Sequence, residues 1–132
     1  MNDIRYGITR ELPDTPFTEA VTKITEALAA EGFGILTEID VKATLKKKLD
    51  VDFQDYVILG ACNPPLAYKA LSAEPHIGLL LPCNVIVMAR DDGGSIVSAI
   101  QPEVQFKLVD RPGLGKVACE VKEKLERALD TL

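Results

Sequence analysis

The stretch "YVILGACNPPLAYKALSAEPHIGLLLPCNVIVMAR", Tyr56 to Arg90, decides how this chain folds. Its opening run, Tyr56 to Cys62, is apolar almost throughout and reads as a strand covered on both faces, central in a sheet. Asn63 is a good helix N-cap. Pro64 suits the first helical position, because the N–H it lacks has no helical partner there. Leu66, Ala67, Ala70 and Leu71 continue the helix, which stops near Pro75, and Val85 to Arg90 forms the next strand. If the helix is a simple crossover, the two strands are parallel, and Cys62 and Cys83 sit at opposite ends of the sheet. If Glu74 to Asn84 runs back along the helix, the strands are antiparallel and the two thiols can be neighbours. That segment has 11 residues, and at about 3.3 Å per residue it is long enough to make the return.

Working outward, Ile4 to Thr9 reads as a short strand ended by Leu12-Pro13-Asp14. Thr15 is placed to cap a helix with Pro16 at its first position. Phe17, Ala20, Val21, Ile24 and Leu28 follow at helical spacing, and Gly32 is a natural C-terminal stop. Phe33 to Ile39 is a second strand, and Asp40 caps a shorter helix with Val41, Leu45 and Leu49 on one face. Asp91-Asp92-Gly93-Gly94 reads as the turn of a hairpin between Val85–Arg90 and Ser95–Ile100. Gln101 to Pro112 is polar and broken, with a short strand predicted at Val104 to Leu108. Leu114, Val117, Ala118, Val121, Leu125, Ala128, Leu129 and Leu132 lie on one stripe of a final helix, with Cys119 off the stripe. Helices mixed with a hairpin predict an α+β fold, one sheet with helices packed on it.

The chain has 132 residues, which fits a single domain over 1–132 with one ordinary core. Hydrophobic residues make up 47% and charged residues 27%, the globular and not the disordered range. A net charge of -5 argues against a nucleic-acid partner, because phosphate binding is driven by Lys and Arg. The one basic run, Lys46-Lys47-Lys48, is followed by Asp50, Asp52 and Asp55, and reads as a solvated helix end. With no Trp, a base-stacking platform is not expected either. No apolar run is long enough to span a bilayer, so membrane insertion is not expected. Three cysteines without an export signal predict free thiols in a cytoplasmic setting.

Cys62 is the first chemical candidate. A thiol beside a helix N-terminus has its thiolate favoured by the helix dipole. Pro64 and Pro65 weaken that effect, since neither has an N–H. No Lys, Arg or His lies within five residues of Cys62. The competing reading is a small buried residue at a strand end. Cys83, followed by Asn84 as Cys62 is by Asn63, precedes the fourth strand. Cys62, Cys83 and the lone His76 suffice for an open three-ligand metal site, although their spacing does not demand one. Gly113-Leu114-Gly115-Lys116 lacks the upstream glycine and the Ser or Thr of a phosphate loop, and reads as a helix start. The scattered carboxylates form no acid/base pattern, and nothing specifies a cofactor.

The Tyr56–Arg90 run resembles the signature of domain of unknown function family 302. That signature has an apolar strand, a Cys-Asn-Pro step, an Ala-rich helix, and a Leu-Pro-Cys step into another strand. The matching residues are Cys62-Asn63-Pro64, Ala67, Ala70 and Leu81-Pro82-Cys83. The resemblance extends over "FTEAVTKITEALAAEGFGILTEIDVKATLKKKLD" before and the Leu114–Leu132 helix after. It implies a curved, mostly antiparallel sheet with helices on one side, similar to the TATA-box-binding-protein-like class. It also implies bacterial or archaeal origin and a homodimer. It implies no reaction, but it adds weight to the two cysteine steps. The leading expectation is a non-enzymatic cytoplasmic binding module taking a small molecule or metal near Cys62, Asn63, Pro64, Cys83 and Asn84. The alternatives are a thiol-dependent enzyme or redox carrier using Cys62, and a structural protein whose cysteines are buried and inert.

Overall fold

β4 (Cys83–Ala89) lies at the centre of a five-stranded sheet in the order β1-β5-β4-β3-β2, with every neighbouring pair antiparallel. The computed structural model describes residues 4–132. The other strands are β1 (Gly7–Leu12), β2 (Gly34–Asp40), β3 (Tyr56–Cys62) and β5 (Ser95–Ile100). The helices are α1 (Phe17–Ala30), α2 (Val41–Leu49), α3 (Pro64–Ala73), α4 (Pro102–Phe106) and α5 (Leu114–Asp130). β3 and β4 pair Ala61 with Cys83 and Tyr56 with Met88, so the antiparallel alternative holds. The return after α3 is not fully extended, because Pro75–Leu80 winds into a 3-10 turn. β3 is internal, one place from the centre.

The caps that the sequence indicates at two helices are present. Asp40 accepts from the Ala43 N–H at 2.9 Å at the start of α2. Asn63 does the same for Leu66 at 3.4 Å at the start of α3, with Pro64 first in the helix. Gly32 follows α1 with φ of 86°, a left-handed conformation that favours glycine. The Lys46 ammonium pairs with Asp50 at 3.0 Å and Asp52 at 3.5 Å, as a solvated helix end should.

Three local expectations are corrected. β1 runs over Gly7–Leu12 and not Ile4–Thr9, because its register is set residue for residue by β5, from Gly7 opposite Ile100 to Leu12 opposite Ser95. Thr15 is not the cap of α1. It closes a turn onto the Leu12 carbonyl at 3.2 Å, its own carbonyl accepts from the Ser95 hydroxyl at 2.7 Å, and Pro16 takes the cap position without a side-chain bond. Val104 to Leu108 is not a strand. Pro102 opens the short helix α4, and the Gln101 side chain caps it by accepting from the Glu103 N–H at 3.2 Å. That start turns Phe106 into the core.

α1 and α5 pack on each other and cover one face of the sheet. Ala20, Ile24 and Leu28 of α1 are fully buried against Val85, Val87, Val97 and Leu59. Seven of the eight stripe residues of α5, Leu114 to Leu129, are buried, and Leu132 packs at the margin. Burying a large aliphatic side chain is worth about 1.5–3 kcal/mol, so this face supplies most of the driving force. No helix among the described residues is long and apolar enough to cross a membrane.

Candidate functional site

The covered face runs out of helix at one end of the sheet, where β3 stops and β4 begins. Asn63, 8% exposed, holds that end together. Its Oδ1 takes the Leu66 N–H, and its Nδ2 donates to the Glu31 carbonyl at 3.2 Å, joining the end of α1 to the start of α3. Gly32 lets the side chain in, since a Cβ there would meet Asn63 Nδ2 at 3.0 Å. On β2, pairing with β3 slips between Ile35 and Thr37. The bulge sets Leu36 apart from the ladder, and it joins the lining of a cavity at this end.

That cavity has a volume of about 320 Å³. Its wall is formed by Phe33 and Leu36 beside β2, by Leu66, Ala67, Ala70 and Leu71 of α3, and by Leu81, Pro82, Phe106 and Val121. Ala61, Cys62, Asn63, Gly78 and Cys83 complete it, and no Lys, Arg, His, Asp or Glu contributes. The Leu81–Pro82 peptide is cis. Burial, and to a lesser degree the neighbouring Cys62, pushes the Cys83 thiol up to about 11, so it stays neutral at physiological pH. Cys62 is half-buried, and the two sulfurs are not bonded to each other.

The helix-dipole argument for Cys62 loses its remaining donors here. Pro64 and Pro65 have no N–H, Leu66 gives its N–H to the Asn63 side chain, and Ala67 gives its own to the Asn63 carbonyl at 2.9 Å. The whole first turn of α3 is therefore closed to an anion. The site residues indicated by the sequence divide into two groups. Cys62, Asn63 and Cys83 meet at the cavity, where the antiparallel pairing of β3 and β4 brings the end of one strand beside the start of the other. Pro64 is exposed at the helix start and outside the lining, and Asn84 points to the opposite face of the sheet. His76 is also outside the lining, with its imidazole 86% exposed and 4.0 Å from Glu74. Among the described residues, no three His, Cys, Asp or Glu side chains gather as a metal-ligand set. Cys119 is exposed on α5, and its thiol donates to Glu123 at 3.5 Å, which pushes its ionisation upward.

Several wall residues escape sequence reading. Leu36 depends on a bulge that no local motif announces. Phe106 and Val121 arrive from distant segments, and only the buried stripe of α5 hinted at Val121.

The elements define an α+β protein built on an open five-stranded antiparallel sheet, with an apolar pocket at one end of its covered face. The chain belongs to the family described as Domain of unknown function DUF302, whose model matches residues 8–132. It is similar to a crystal structure described as an uncharacterized conserved protein DUF302 from Bacillus stearothermophilus. The two are 28% identical with a TM-score of 0.87, over 96% of this chain and 98% of that one. No curated protein matches the chain.

Proposed function

We propose that this chain is a binding module for small, uncharged, apolar molecules, which occupy the cavity between α3 and the adjoining ends of β3 and β4. One observation carries the reading: a cavity of about 320 Å³ with no ionised side chain in its wall. Both polar ends of Asn63 are already engaged, and the Cys83 thiol is held neutral. A charged ligand entering it would lose hydration and find no partner, a cost of several kcal/mol. An apolar ligand meets polarizable sulfur, aliphatic groups and one aromatic ring. An apolar cavity of roughly 150 Å³ stays dry and takes benzene, so about twice that volume suits two or three rings or a medium alkyl chain. Cys62 and Cys83 act in this reading as wall and not as nucleophiles, and Pro64 shapes the end of α3 from outside.

The test is fluorescence titration with N-phenyl-naphthylamine, a neutral probe. It should saturate, with displacement by octanol and naphthalene and at least tenfold weaker displacement by octanoate at neutral pH. Ala67→Trp, which fills the cavity from a half-exposed helix position, should abolish binding while the far-UV spectrum stays as in the parent. Octanoate competing as well as octanol, or Ala67→Trp binding like the parent, overturns the proposal.

A further inference from the structure

We propose that the free edge of β2 takes an extended basic peptide as a sixth strand, with one apolar side chain of that peptide seated in the cavity. The inference rests on the cavity being a site for uncharged apolar groups, and it names the partner that carries the group. β2 ends the sheet order, and among the described residues the backbone of residues 34–39 pairs with β3 alone. Such an edge is a row of unpaired N–H and C=O groups, a template for strand addition. The opposite edge is different. Arg10 lies along β1, donating to the Thr9 carbonyl at 2.9 Å and to Asp130 of α5 at 2.6 Å. Six of the seven residues of β2 are exposed, among them Leu36 at 66% and Ile39 at 47%.

The edge leads into the cavity. Leu36 belongs to both, as the bulge residue of β2 and as an exposed part of the cavity wall. The bulge interrupts the ladder only there, and Thr37 to Asp40 pair regularly with Gly60 to Val57. Register decides which side chains share the cavity's side of the sheet. Glu38 lies opposite Leu59 and Asp40 opposite Val57, both buried on the covered face. Glu38 and Asp40 therefore stand on that side, and Ile39 stands on the other. An added strand would show the same side one residue level with Leu36 and, at steps of two, residues beside Glu38 and Asp40.

Charge selects a basic peptide as the occupant. Glu38 and Asp40 are the ionised groups of β2, and among the described residues neither has a cation within salt-bridge distance, because Lys42 and Lys46 of α2 pair with Asp55, Asp50 and Asp52 instead. A second β2 laid on this edge would add two more carboxylates, from a chain of net charge -5. Lysines at alternate positions of a peptide complement both groups. Every strand pair in this sheet is antiparallel, and antiparallel pairing is slightly the more stable per residue. A peptide running against β2 meets Asp40 first, then Glu38, then the cavity. Its pattern is basic, any, basic, any, large apolar, as in Lys-Thr-Lys-Thr-Leu.

Isothermal titration calorimetry with acetylated and amidated Thr-Lys-Thr-Lys-Thr-Leu-Thr tests it, beside the N-phenyl-naphthylamine titration. The peptide should saturate the chain and displace the probe. Glu38→Lys, at an exposed position, should weaken the peptide at least tenfold and leave the probe titration as in the parent. Ala67→Trp should weaken the peptide as much, by filling the place of its leucine. Of two peptides N-methylated on alternate residues, the one whose methyl groups face β2 should lose binding and the other should keep it. A chain that binds the probe but not the peptide overturns the inference and leaves the cavity reading standing. Failure of both overturns the two together. Glu38→Lys binding like the parent, or both methylated peptides behaving alike, overturns the inference as well. So does a sedimenting mass that falls as peptide is added, which assigns the edge to a second copy.

Discussion

Along β4, Val85 and Val87 turn toward α1 and α5 and are fully buried, while Ile86 and Met88 turn the other way and are only half-covered. The residue types are alike, and the difference lies in what is laid over them. On one side two amphipathic helices close the core, except at the end where their coverage stops and the cavity remains. On the other side the half-covered residues of β4 are flanked by Ile4, Tyr6 and Gln54 and not by α1 or α5. A strand apolar on both faces is normally read as a strand buried on both faces. Here Ile4, Tyr6 and Gln54 lie against part of that second face and leave the rest half-covered, so the two faces differ in how far packing closes them.

The comparison breaks most readily in the core. Leu125→Ala on the covered face should lower the unfolding free energy by about 2–5 kcal/mol, because the cavity it leaves cannot fully collapse. Ile86→Thr on the open face should cost under about 1 kcal/mol. Equal losses in urea unfolding at concentrations where both variants are monomeric would erase the distinction between the faces.

Next in size is the pH dependence of the cavity wall. Cys83 is neutral in the fold up to about 11, whereas an unfolded thiol ionises near 8.5. The unfolded state therefore loses its proton first. The stability this group contributes is fully present below about pH 8.5 and is lost as pH rises toward 11. Linkage sets the loss at about 3 kcal/mol when complete. Urea midpoints of Cys83→Ala between pH 8 and 10.5 should fall less steeply than those of the parent. Parallel curves would mean that the thiol is not desolvated as described.

Asn63→Ala should cost about 1–2 kcal/mol in thermal unfolding, through the lost cap on Leu66 and the unpaired Glu31 carbonyl. Asn63→Asp should recover part of that loss, because the carboxylate still caps but no longer donates. The smallest effect is the most informative about the pocket. In a series of straight-chain alcohols, each added methylene should tighten binding by about fourfold, from about 0.8 kcal/mol per CH₂, until the cavity is full. A flat series would mean that the ligands sit outside it.

Much of this was legible in the chain. The stripe of α5, the Asp40 and Asn63 caps and the Asp91–Gly94 turn each rest on local rules, and each appears where those rules put it. The strand direction was not legible, because crossover and return both fit the segment between Glu74 and Asn84. A 3-10 turn completes the return, and with it Cys62 and Cys83 come to one cavity. Asn84 was grouped with Cys83 by sequence adjacency, but strand alternation sends it to the other face. The Val104–Leu108 segment misled because its apolar spacing outweighed the helix-starting Pro102. Leu36 stayed hidden because a bulge is a property of two strands together.

The most direct measurement uses the cysteines as reporters. Native protein is alkylated at neutral pH with and without saturating N-phenyl-naphthylamine, and the labelled peptides are mapped. Cys119, exposed on α5 and outside the cavity wall, is the internal reference. If small apolar molecules occupy the cavity, the probe should slow labelling of Cys62 at least tenfold and leave Cys119 unchanged, with Cys83 unlabelled throughout. Equal labelling of Cys62 with and without bound probe would place the ligand elsewhere and contradict the account.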